Sequence, residues 1–158
     1  MKVVERVKGN ATTDFGAPGI APSSDATPLP GAELKRLDAL LRACWGAFDA
    51  AARAAASAVL RKGPRGGGRD LAAIVAHVLD ADVAYLSQLG GTYHTPGGAN
   101  AMKQMRRDFL EVLAERAGGA VPVSTRRKRP YWTPRYAVRR SAWHALDHAW
   151  EIEDRASK

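Results

Sequence analysis

Cysteine is almost absent from this sequence: Cys44 is the only one in 158 residues. A lone thiol forms no internal disulfide and belongs to no Cys-x-x-Cys pair. This excludes a disulfide framework and a thiolate zinc cluster, so any metal site must be built from histidine and carboxylate. Valine and isoleucine are sparse and scattered, which disfavours an all-β fold. No run of about 18 apolar residues occurs, and the start, MKVVERVKGN, lacks the apolar segment of a secretory signal. A cytoplasmic protein without membrane contact is therefore expected. Acidic residues are outnumbered, 16 against 24 Lys and Arg, for a net charge of +8. That balance admits nucleic acid, membrane headgroups or an anionic small molecule as partner without choosing among them.

Alanine, a strong helix former, carries much of the 46% hydrophobic content, and 25% of residues are charged. This is the balance of a globular, mainly helical chain, and its length suits one main domain. Residues 1–30 read as an N-terminal arm. VVERV has the composition of a short strand but no partner run, and GAPGIAPSSDATPLPG is linker-like. Such an arm packs irregularly on the domain, pairs between subunits, or continues a longer N-terminal region.

Residues 31–158 read as an antiparallel four-helix bundle, all-α. From Glu33, the stripe Leu34, Leu37, Leu41, Trp45, Phe48, Ala52, Ala55 and Val59 predicts a first helix of about seven turns. Gly63 and Pro64 end it, and Asp70 is placed to cap a second helix running to about Gln88. Met102, Met105, Phe109, Val112 and Leu113 mark a third, stopped by AGG at 117–119. Thr133 and Pro134 supply the cap and first-turn proline of a fourth. No internal repeat is present.

The last helix carries WHALDHAWEIEDR. At about 100° per residue, His144, His148, Glu151, Arg140 and Arg155 share one narrow face. Histidines at i and i+4 reach a single ion, as in His-Glu-x-x-His helices, although Ala145, Leu146 and Asp147 stand between them here. The plainer alternative is a solvated pair, because Val138, Ala142, Ala145, Leu146, Ala149, Trp150 and Ile152 look like the core side. On the second helix His77 lies among Ala73, Ile74, Ala81, Ala84 and Tyr85. It reads either as a hydrogen-bonded core histidine or, facing the pair, as a third nitrogen ligand.

AAIVAHVLDADVAYL, followed some sixty residues later by RRSAWHALDHAWEIEDR, resembles the DinB-like four-helix proteins, which are related to thiol-dependent transferases. The resemblance covers roughly residues 33–156. It implies a divalent metal, commonly zinc or nickel, on His77, His144 and His148, together with a small-molecule substrate and a low-molecular-weight thiol. It does not identify the substrate. The segment NATTDFGAPGIAP is similar to one found behind an extra region in longer relatives, so a shortened form of a longer protein is one expectation. Three neutral nitrogens with an open position are the catalytic rather than the structural arrangement.

Around that set, Glu151 and Asp80 are the candidates for moving protons. Of Asp147, Glu151, Glu153 and Asp154, Glu151 is the best placed, to orient an imidazole, to serve as a fourth ligand or to pair with Arg155. Arg140 and Arg155 are candidates for binding anionic groups of the thiol. The rival reading is a nucleic-acid module. It would use the loop of Arg126, Arg127, Lys128, Arg129 and Arg135 interleaved with Tyr131, Trp132 and Tyr136, and the histidines would then be structural. GPRGGGR, with Arg65 and Arg69, reads as a helix connector rather than an anion nest, since it lacks the P-loop lysine and Ser/Thr. His94 reads as a loop residue at a pocket rim, Cys44 as core, and Trp143 and Trp150 as core by default. A homodimer stays open as an assembly.

Overall fold

The computed structural model describes residues 2–62, 68–94, 100–122 and 130–156. Among the described residues there is no strand. Four long helices pack together: α2 (Gly31–Ala54), α3 (Leu71–Leu89), α4 (Ala101–Ala117) and α5 (Pro134–Ala156). They follow a four-residue helix α1 (Ala11–Asp14) and a 3-10 turn, Ser23–Ala26. The chain is thus an all-α antiparallel bundle with an irregular N-terminal region.

Local chemistry sets most of the helix ends. The Asp70 carboxylate accepts from the Ala73 N–H at 2.8 Å and caps α3. Gly90 closes α3 in the left-handed region, φ 107°, where a side chain is strained; an added Cβ would also stand 2.3 Å from Pro122 Cγ. Thr133 Oγ1 accepts from the Tyr136 N–H at 3.3 Å, with Pro134 as the first residue of α5.

One helix boundary departs from expectation. The apolar stripe predicted a first helix reaching Val59, but α2 ends at Ala54, and Val59 is 95% exposed. Past Ala54 the helical ladder gives way to turn bonds, from the Ala56 N–H to the Arg53 carbonyl at 3.2 Å and from the Ala58 N–H to the Ala55 carbonyl at 2.9 Å, and tertiary bonds then fix the chain. The Arg61 N–H donates to the Arg155 carbonyl at 2.9 Å, Arg155 Nε returns a bond to the Arg61 carbonyl at 2.8 Å, and Leu60 is buried.

The bundle is a ring in which α2 packs on α5, α5 on α3, and α3 on α4, with only light contact closing it between α4 and α2. Leu41, Phe48, Ile74, Val78, Leu86, Met105, Phe109, Val138 and Ile152 fill the centre. Trp45 meets Phe109 edge-on, with centroids 5.8 Å apart. The apolar α3 matches a membrane span in length and composition, with mean hydropathy 1.2. Its Ile74, Val78, Leu86 and Leu89 nevertheless belong to the bundle core.

The possible strand at VVERV does not form: residues 2–10 have no strand partner, and Val3, Val4 and Val7 are exposed. The arm instead packs irregularly on the bundle. Buried Asp25 pairs with Arg139, while Arg135 donates to the Thr27 carbonyl at 2.8 Å and to Glu33 Oε2 at 2.6 Å.

Candidate metal centre

α5 supplies His144 and His148, and α3 supplies His77. The two α5 histidines are buried at 7% exposure each, and His77 is half-buried. The solvated alternative for the pair therefore does not hold. The sequence pattern puts the polar face opposite the core side, where Ala145, Ala149 and Ile152 are indeed buried, but the buried residues of α5 also include Ala137, Ser141, His144 and His148. On a helical projection these occupy one continuous arc with the histidines at its edge. Trp150, expected on the core side, is 57% exposed. The cause is the position of α5, which packs against α2 on one flank and α3 on the other.

The three rings form a compact triangle. Centroids are 4.5 Å apart for His144 and His148, 5.0 Å for His77 and His148, and 5.2 Å for His77 and His144. One nitrogen from each ring lies within 4.8 Å of the others, and the Nε2 atoms of His144 and His148 stand 3.2 Å apart. His148 Nδ1 is bonded to Glu151 Oε2 at 2.7 Å, which leaves Nε2 as the nitrogen facing the cluster. Arg155 Nη1 in turn donates to Glu151 Oε1 at 2.6 Å. His144 Nδ1 is buried without a hydrogen-bond partner.

Burial first, then the neighbouring imidazoles and the Arg140 and Arg69 charges, push His144 down to about 3. Burial, Arg69 and His148 likewise lower His77, against the opposing charges of Asp80 and Glu151. Burial alone would raise Glu151, but its bonds with His148 and Arg155 outweigh that and hold it below the ordinary carboxylate range. The site thus favours neutral imidazoles at His77 and His144 beside the ionised Glu151. Neutral imidazole nitrogens are metal donors, and three of them brought this close could hold a metal ion.

The other residues singled out from the sequence are distributed as follows. Asp80 is exposed on α3, one turn beyond His77. Arg155 has all three kinds of donor engaged: Nη1 on Glu151, Nε on the Arg61 carbonyl, and Nη2 on the Arg69 carbonyl at 2.7 Å. Arg140 lies over the rings of Tyr85 and Trp143, 5.7 and 5.4 Å from their centroids. Asp147, Glu153 and Asp154 are exposed, as is His94. Cys44 is buried, and burial raises its thiol above the ordinary range, in keeping with a core role. Arg65 and the basic run 126–129 lie outside the described residues, whereas Trp132 packs on Tyr85 and Tyr136 at 5.3 and 4.8 Å.

Sequence reasoning missed two features. Asp82, 1% exposed, accepts from the Ser141 hydroxyl at 2.6 Å, and Ser141 Oγ receives the Trp45 indole N–H at 3.3 Å. This chain of bonds ties α3, α5 and α2 together. The second is a cavity of about 990 Å³ between α2 and α4, lined by Trp45, Asp49, Met102, Arg106, Arg107 and Leu110 among others. No histidine lines it. Its size reflects the weakly closed side of the ring, whereas the convergent nitrogens that define a chemical site lie elsewhere.

Together these observations define an all-helical bundle protein with a buried three-histidine cluster that could bind a metal ion. No family model, curated protein or solved structure matches the chain.

Proposed function

We propose that this protein is a DinB-like, metal-dependent enzyme. His77, His144 and His148 hold a divalent ion, zinc or nickel, and a small-molecule substrate reacts with an activated nucleophile. The nucleophile is a low-molecular-weight thiol in a transferase, or water in a hydrolase. The carrying observation is the convergence of three imidazole nitrogens within 4.8 Å from two helices far apart in sequence.

Held by His77, His144 and His148, a divalent ion would supply the positive charge that lowers the pKa of water or of a thiol toward neutrality. The chain's own residues prepare that site. Glu151 fixes the orientation and tautomer of His148, and Arg155 fixes Glu151. Burial keeps His144 neutral and able to donate its lone pair. In this reading proton transfer is assigned to Glu151, bonded to His148, and to the exposed Asp80, whose charge acts on His77.

Elemental analysis tests the reading. Untagged, dialysed protein is expected to hold roughly one tightly bound divalent ion per chain, consistent with one cluster of this kind. His77→Ala and the double variant His144→Ala, His148→Ala are expected to lose it. Equally negligible metal in wild type and His77→Ala would end the assignment. With zinc or nickel added, a panel of electrophiles and esters assayed with and without thiols separates the two reactions. Thiol-independent turnover assigns the hydrolase.

A further inference from the structure

Arg140 is set apart from the other engaged arginines of the bundle. Arg106, Arg135, Arg139 and Arg155 each pair with a carboxylate, namely Asp49, Glu33, Asp25 and Glu151. Arg140 has no such ion pair among the described residues. Its guanidinium is held between two aromatic rings, Tyr85 from α3 and Trp143 from α5. Its Nη1 is buried without a hydrogen-bond partner. Ring faces offset part of the cost of removing a cation from water and the Tyr85 hydroxyl accepts from the guanidinium, but neither satisfies Nη1. A buried donor left in this state is costly, and a guanidinium edge matches the two oxygens of a carboxylate or phosphate.

The location connects this donor to the histidine cluster. Arg140 precedes His144 by one turn of α5, so the two project from the same side of the helix. Both rings that hold Arg140 also touch His144, with centroids 5.7 Å away for Tyr85 and 6.4 Å for Trp143. Trp132 packs on Tyr85 and extends the aromatic surface. Arg155, the other arginine of this face, already donates to three protein acceptors and has no comparable vacancy.

We propose that Arg140 is an anion anchor beside the three-histidine cluster, selecting small ligands whose carboxylate or phosphate is joined to a flat or apolar body. The anion lies on the guanidinium edge, and the body rests against Tyr85, Trp132 and Trp143. This names the ligand class of the site proposed above and rests on that reading for its catalytic meaning, but not for binding.

The test is calorimetric titration of chelator-treated, metal-free protein with phenyl phosphate, benzoate, inorganic phosphate and phenol. Phenyl phosphate and benzoate are expected to saturate at one site per chain, inorganic phosphate to bind more weakly, and phenol to show no comparable affinity. Arg140→Gln is expected to weaken phenyl phosphate about tenfold or more, with Arg140→Lys between it and wild type. His77→Ala, which removes a metal ligand, is expected to retain the binding. Wild-type affinity in a folded Arg140→Gln protein, or no saturable binding of any anion to wild type, overturns the proposal. Should Arg140→Gln fail to fold, the Arg140 Nε–Hε resonance of wild type supplies the answer. A shift on adding phenyl phosphate supports the anchor, and an unmoved resonance overturns it. A protein that takes up no metal yet binds phenyl phosphate through Arg140 would refute the metal enzyme and leave the anchor standing.

Discussion

Asp82 occupies a place in α3 that the helical repeat otherwise gives to hydrocarbon. Ile74, Val78 and Leu86 lie at four-residue intervals around it, all with 0% exposure. Sequence reasoning passed over this carboxylate inside an i, i+4 stripe, and its partner Ser141 leaves no sequence signal, because that contact joins residues 59 apart. Burial pushes Asp82 up from 3.8 to about 7, against the lowering effects of Ser141, Arg106 and Trp45. The folded state thus holds this proton more strongly than the unfolded chain does. The stability it contributes is fully present below pH 3.8 and is lost as pH rises through about 7. His144 acts in the opposite sense, since its folded value falls from 6.5 to about 3, and the stability of the neutral ring is lost as pH falls through that interval. The two slopes oppose each other across nearly the same window. In metal-free protein, Asp82→Asn is therefore expected to steepen the loss of stability on acidification from pH 6.5 toward 3.8. Urea unfolding across that interval measures it, and equal slopes in variant and wild type would reject the assignment.

At the scale of the helix, periodicity located four elements and most of the core side of α5, but neither the end of α2 nor the burial of His144 and His148. The histidines are buried because α5 packs against α2 on one flank and α3 on the other; the end of α2 has a different source. A hydrophobic stripe records which residues avoid water and is blind to backbone groups captured by a distant side chain. Arg155 makes that capture: it holds the Arg61 and Arg69 carbonyls through Nε and Nη2 while its third donor orients Glu151. Gly68 fits beneath it at φ 135°, where an added Cβ would stand 2.7 Å from Arg155 Nη2. Arg155→Ala is thus expected to destabilise the apo protein by about 1–3 kcal/mol. Arg155→Lys should recover little, because an ammonium cannot reproduce the planar fork. Denaturant midpoints at constant m-value give the comparison. A lysine variant as stable as wild type would show that charge near the end of α5, rather than the fork, is what matters.

For the whole molecule, the ring of helices places the proposed chemistry on the α3–α5 side and leaves the α2–α4 side weakly closed. His77 and the later pair were legible as separate candidates. Their meeting required the packing of α3 on α5, which no single helical stripe encodes. Irregular packing of the arm on the domain was one of three readings the sequence left open, and its anchor was not legible, since it depends on one buried acid, Asp25, among Pro, Ser and Gly. Asp25 and the carbonyls of Thr27 and Pro28 receive Arg139 and Arg135 of α5, whereas contacts earlier in the arm, such as Glu5 with Ser23 at 2.9 Å, join the arm to itself. Stability should therefore divide within the arm. Removing residues 1–20 is expected to leave the unfolding midpoint unchanged. Removing residues 1–28 should still leave a cooperative helical bundle, but one less stable by about 1–3 kcal/mol, as the partly buried Asp25–Arg139 pair and the Arg135 bonds to the Thr27 and Pro28 carbonyls are lost. Asp25→Asn in the full chain should reproduce part of that loss. Circular dichroism during urea unfolding reads all three. A midpoint lowered as much by the shorter deletion as by the longer one would place the anchor ahead of Asp25, and loss of cooperativity in the longer deletion would make the arm part of the core.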